Sequence, residues 1–213
     1  MAKPSLKHSL AYILSLAILA LGITLNTKTQ LGVSSIVSVP YTVSQIFPLP
    51  LGLTTFVHYL LLILLQKLLL KKDFHPLQYL QIIASFVTSF FIQGWDMLLP
   101  VFQPMWLRIL ILFAGIAITG FGASLSLAMD IVPNPADGLA QAVGSKLGKD
   151  VGLGKNLIDL VSIAIAAALG LLLTGRIVGI GLGTVCAMFL TGRVMHFVHP
   201  GSLKLAGRLK TRT

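Results

Sequence analysis

Six charge-poor apolar stretches, at about 9–27, 51–66, 77–95, 109–129, 156–175 and 177–198, constrain this chain more than any other feature. Each is near the roughly 20 residues that carry a helix across a hydrocarbon core of about 30 Å. A soluble domain of 213 residues needs a charged exterior, yet only 10% of these residues are charged, and the six acids are all aspartate. With mean hydropathy at +0.91, the solvent for most of the surface is lipid. Lipid offers a backbone no hydrogen bonds, so each stretch must satisfy its own as a helix. The expectation is an all-α, polytopic membrane protein of six transmembrane helices. The fifth stretch contains Asp159, and the sixth runs 16 residues before Arg193, whose stem must snorkel to the headgroups. The first apolar run exceeds the roughly 7–15 residues of a secretory h-region, so it is kept as a span.

The formal charge of +10 would suggest nucleic acid in a soluble protein, but the positions of the cations explain it differently. With the N-terminus in the cytoplasm, 13 Lys and Arg fall on cytoplasmic segments, from Lys3 and Lys7 to Lys210 and Arg212; only Lys28, Arg108 and Arg176 fall outside. That is a positive-inside bias, with both termini cytoplasmic and no polyanionic partner required. The basic tail, 201–213, is expected to lie against anionic headgroups. The single Cys186 permits no disulfide within one chain and reads as a small packing residue.

Shifting the chain by 100 positions pairs Leu10 with Leu110, Gly22 with Gly122, Leu25 with Leu125, Val43 with Val143 and Gly52 with Gly152. Nine identities over 10–60 are only about twice the chance level. The grammar of the halves also agrees: long span, polar break, short helical segment, Gly-rich stop, span, turn, span. The chain is therefore divided into an N-terminal repeat, 1–103, and a C-terminal repeat, 104–200. Three spans per repeat is an odd number, so the copies are expected to be inverted relative to one another.

The stretch "IVPNPADGLAQAV", 131–143, holds a helix start inside an otherwise apolar region. Asn134 can cap the open N–H groups, Pro135 stands where a missing N–H costs nothing, and Asp137 puts negative charge in the first turn. Ser34, followed by Ser35, occupies the matching place in the first half, where Pro40 predicts a bent, short or partly unwound segment. Such interrupted segments at matching places point to a transporter's site at the repeat interface.

Polar groups inside a membrane are costly unless paired or wetted, so each carries a functional reading beside a structural one. Asp159 lies four residues after Lys155, on one helix face, as a structural ion pair or as a substrate- or proton-binding group. Asn134, Asp137 and Gly138 form either a solvated cap or a binding site, with Asp137 favouring a cation or polar solute over an anion. Ser34, Ser35 and Asn26 can bind solute or join helices. His58 reads as a proton relay or a hydrogen-bonded structural histidine. "GIGLGT", 179–184, follows no strand and reads as helix packing rather than a nucleotide loop. His196 and His199 have no acid or thiol nearby to complete a metal site, and the sequence holds no G-x-S-x-G or H-E-x-x-H motif. No metal, cofactor or enzymatic activity is expected.

At "NPADGL", then "GLGKNLIDL" and "VGIGLGT", the sequence resembles the YczE/YyaS/YitT group of bacterial integral membrane proteins. The matching positions are Asp137, Gly138 and Leu139, then Lys155 and Asp159, then Gly181, Gly183 and Thr184. The chain departs at Ala136, where the group often has a basic residue. The resemblance implies a bacterial inner-membrane location, a six-span body and transport. Together these readings lead to passage of a small polar or amphipathic solute, with proton coupling through Asp159 as one form. The alternative is a non-transporting accessory protein that stabilises a partner complex; a homo-oligomer or a partner membrane protein fits either.

Overall fold

The computed structural model describes residues 6–210, so Lys3 and Arg212 of the charge tally and the last residues of the tail lie outside it. The described residues form eight α-helices in the order α1 (Leu6–Thr29), α2 (Ser35–Ile46), α3 (Leu51–Leu70), α4 (Leu80–Leu98), α5 (Met105–Ala128), α6 (Pro135–Lys146), α7 (Val151–Thr174) and α8 (Leu182–Lys210). Two 3-10 turns, Lys71–Asp73 and Pro76–Tyr79, join α3 to α4. Among the described residues four helical segments, Leu6–Thr29, Leu51–Asp73, Met105–Ala128 and Val151–Thr174, are long and apolar enough to cross a membrane, against the six expected.

The helix directions follow from the contacts at their ends. At one end of the molecule His8 Nε2 lies 2.7 Å from the Met129 carbonyl and the Tyr12 hydroxyl donates to that of Val132 at 2.9 Å, so α1 starts where α5 finishes. At the other end Lys28 bridges Asp96 at 2.9 Å and Arg108 donates to the Thr29 carbonyl, gathering the finishes of α1 and α4 around the start of α5. Helices α1 and α5 are thus antiparallel, and α4 runs with α1. Helix α8 runs with α5: Gly120 lies against Val194, and further along Ser124 donates to Ser202 at 3.0 Å.

Large apolar side chains such as Leu14, Phe90, Leu172 and Phe197 point outward, while the interior is rich in small hydroxyls. Thr24, Ser85, Thr88 and Thr119 are buried and return their hydroxyls to carbonyls four residues earlier, which satisfies them where water is absent.

Helix α6 begins as its residues predict: the Asn134 side chain accepts from the Ala136 N–H at 3.0 Å and Pro135 takes the first helical position. Its partner in the first half differs. Ser34 flanks α2 but its side chain makes no cap bond, because its hydroxyl is not turned onto the first-turn N–H groups. Pro40 is buried within α2, which is short but continuous through it. The sixth apolar stretch also differs from its expected bounds. Gly175 and Gly179 take positive φ, 71° and 73°, and the backbone turns until Leu182 before α8 begins. Helix α8 then continues through Pro200 to Lys210, so most of the basic tail is the last turns of a helix. Ala206 is buried there with Tyr12, Leu16, Leu125, Ala128 and Met129, while Lys204 and Arg208 stay exposed.

Candidate functional site

Two short helices begin against consecutive residues of α3. Tyr59 is 1% exposed and its hydroxyl faces the side chain of Asn134, the cap of α6. Its neighbour His58 lies beside the backbone of Ile36, in the first turn of α2, with Nε2 buried and unpartnered. Ile36 packs on the apolar cluster that holds Tyr59, Leu62, Ala136, Leu139 and Ile158. The starts of α2 and α6 therefore converge on the middle of α3, and both direct the partial positive charge of a helix N-terminus there.

Helix α7 closes the other side. Asp137 in the first turn of α6 is electrostatically coupled to Lys155 and Asp159. Lys155 Nζ stands 3.8 Å from Asp159 Oδ2, with Asp159 buried and Lys155 about one-third exposed. Two carboxylates, one ammonium, a phenol, an imidazole and a side-chain amide thus share one region. Both carboxylates cannot be matched by the single ammonium, so the group suits a proton, a cation or a solute bearing donors.

A third layer holds α6 in place, and it was not foreseen from the sequence. Gln66 Nε2 donates to the Pro135 carbonyl at 3.0 Å and to Gln81 Oε1 at 3.1 Å, while Gln81 Nε2 donates back to Gln66 Oε1 at 3.0 Å. Both glutamines are fully buried. Gly138 faces this pair so closely that a Cβ would stand 2.5 Å from Gln66 Oε1. The available signal was the presence of two uncharged amides inside apolar stretches, where each needs a partner.

The sequence-predicted residues do not all meet. Asn134, Asp137, Gly138, Lys155, Asp159 and His58 are brought together. Ser34 and Ser35 adjoin the group through the start of α2, where Ser35 is buried and its carbonyl accepts from Ser38. Asn26 stands apart on α1: it is 1% exposed, its amide atoms have no partner, and it faces Gly115 of α5. His199 lies 3.3 Å from the Ser124 hydroxyl, in the packing of α8 on α5.

Outward apolar faces, a hydroxyl-lined interior and a buried ionisable group between interrupted helices define a polytopic helical membrane protein. The chain belongs to a family of unknown function, DUF6198, whose model matches residues 6–200. It is 25% identical over 197 residues to the uncharacterized membrane protein YczE of Bacillus subtilis (strain 168), covering 91% of this chain and 86% of that protein. No solved structure matches it.

Proposed function

We propose that this protein moves a small polar or amphipathic solute across the bilayer, through the region where α2 and α6 start against α3 and α7. One observation carries the reading: Tyr59, Asn134, Asp137, Lys155 and Asp159 form a polar group inside a chain whose outer faces are apolar. Ionisable groups are expensive there, and facing the bundle interior they mark solute or proton pathways. We read α1, α3, α4, α5, α7 and α8 as six spans, with α2 and α6 as half-helices that enter and return. Elements α2 and α6 are both 12 residues long and start 100 positions apart, at residues 35 and 135. Helices α1 and α5 open the two halves and run in opposite directions, which supports inverted copies sharing a site at their interface. The ends rich in Lys and Arg are assigned to the cytoplasm of a bacterial inner membrane.

Proton coupling is assigned to Asp159, whose carboxylate is held by Lys155 and coupled to Asp137. The test is uptake and efflux of a solute panel by the full chain in proteoliposomes, with and without a pH gradient. Transport of one solute class that Asp159→Asn abolishes, in protein that remains monodisperse, bears the proposal out. Pure protein that moves nothing and copurifies with one membrane partner instead supports the accessory role.

A further inference from the structure

The two halves differ where α3 meets α4 and α7 would meet α8. In the first half the helices close on each other: the Gly52 N–H donates to Gln93 Oε1 at 2.9 Å, and Phe56 meets Phe86 edge-on at 5.9 Å. In the second half, α7 and α8 do not pack together, and a groove of about 540 Å³ opens between them. Gly152 and Gly192 line it, and Gly152 is the counterpart of Gly52 at the 100-residue offset.

We propose that this groove binds one phospholipid with an anionic headgroup. Its walls are apolar and outward-facing, with Leu157, Leu160 and Phe189 38%, 58% and 57% exposed, as acyl chains require. It also holds two cations, Lys155 and Arg193, and no carboxylate lines it. Lys155 is engaged by Asp159, whereas Arg193 is exposed and no carboxylate pairs with it among the described residues. An unpaired guanidinium beside an apolar slot matches a lipid phosphate in charge and in its planar fork of donors. Gly192 gives the chain room: a Cβ built on it meets nothing within 4 Å. The occupant comes from the surrounding bilayer, because the exposed walls belong to the lipid-facing side of both helices. This site stands whether or not the protein transports a solute.

The experiment is native mass spectrometry of the detergent-purified full chain titrated with phosphatidylglycerol or phosphatidylcholine. The wild type is expected to hold one phosphatidylglycerol at least about fivefold more tightly than phosphatidylcholine, the preference that one juxtaposed cation confers. Arg193→Gln should erase that preference. Gly192→Leu, which fills the slot and leaves both cations in place, should weaken both lipids. Lys204→Gln, exposed on α8 outside the groove, should retain the preference. Equal affinity for the two lipids in the wild type, preference surviving Arg193→Gln, or equal loss in Lys204→Gln would each overturn the proposal.

Discussion

Gly22 on α1 lies against Thr119 on α5 with no room for a Cβ between them, and Gly122 lies against Leu19 in the same way. The second contact is the first with its two positions exchanged by 100 residues. A two-fold axis between related segments produces such reciprocity, since residue i meets j and the counterpart of j meets that of i. The proposed inverted copies would place such an axis between α1 and α5, and the close approach needs glycine on both helices.

Gly22→Ala and Gly122→Ala should therefore destabilise the protein by similar amounts, on the order of 1–3 kcal/mol each, because the added methyl meets backbone that cannot yield. Gly94→Ala is the control, since nothing lies within 4 Å of a Cβ there. Thermal unfolding in detergent, followed by helical circular dichroism, reads all three; two unequal glycines would count against the shared axis.

The polar contact between Tyr59 and Asn134 links α3 to the start of α6. Asn134→Ala removes both this contact and the cap on Ala136, and should cost about 0.5–2 kcal/mol. Tyr59→Phe removes only the hydroxyl, at about 0.5–1.5 kcal/mol. Their effects should fall short of additive when combined, and a double-mutant cycle on unfolding midpoints measures the shortfall.

Gln66 and Gln81 bond each other, so losing Gln66 strands the Gln81 amide, while losing Gln81 leaves Gln66 only its bond to the Pro135 carbonyl. Gln66→Leu or Gln81→Leu should destabilise by about 1–3 kcal/mol, the desolvation cost of an unpaired buried amide. Replacing both should cost less than the sum of the single changes, since no glutamine is left without its partner. Additive losses in the same unfolding assay would show that the two amides act independently.

The Lys155–Asp159 pair is asymmetric, with the carboxylate buried and the ammonium partly wet. Lys155→Gln should lower stability more than Asp159→Asn, because it leaves a buried charge without its counter-ion. Fluorescence-detected size exclusion after a temperature ramp ranks the two, and proteoliposome flux tests whether Asp159→Asn stops transport at unchanged fold.

The helical, lipid-facing character, the start of α6 and the 100-residue offset of α2 and α6 were all legible in the chain. Length, hydropathy and a cap are local properties, settled by a bilayer's thickness and by backbone groups within one turn. Ser34 shows where local reading stops: it is a good capping residue at the right place, but its side chain makes no cap bond. The start of α8 at Leu182 shows the same, since Gly179 turns the chain inside the apolar run 177–198 that reads as continuous helix. Only the tertiary structure decided that Tyr59 meets Asn134, that Gln66 and Gln81 face Pro135, that Asn26 stays apart, and that α7 and α8 leave a groove where α3 and α4 close. Each of these depends on how far a helix is rotated about its own axis and how it is shifted against its neighbour. Neither quantity is encoded in the hydrophobic period, because lipid accepts any apolar face and leaves the orientation to interhelical packing and hydrogen bonding.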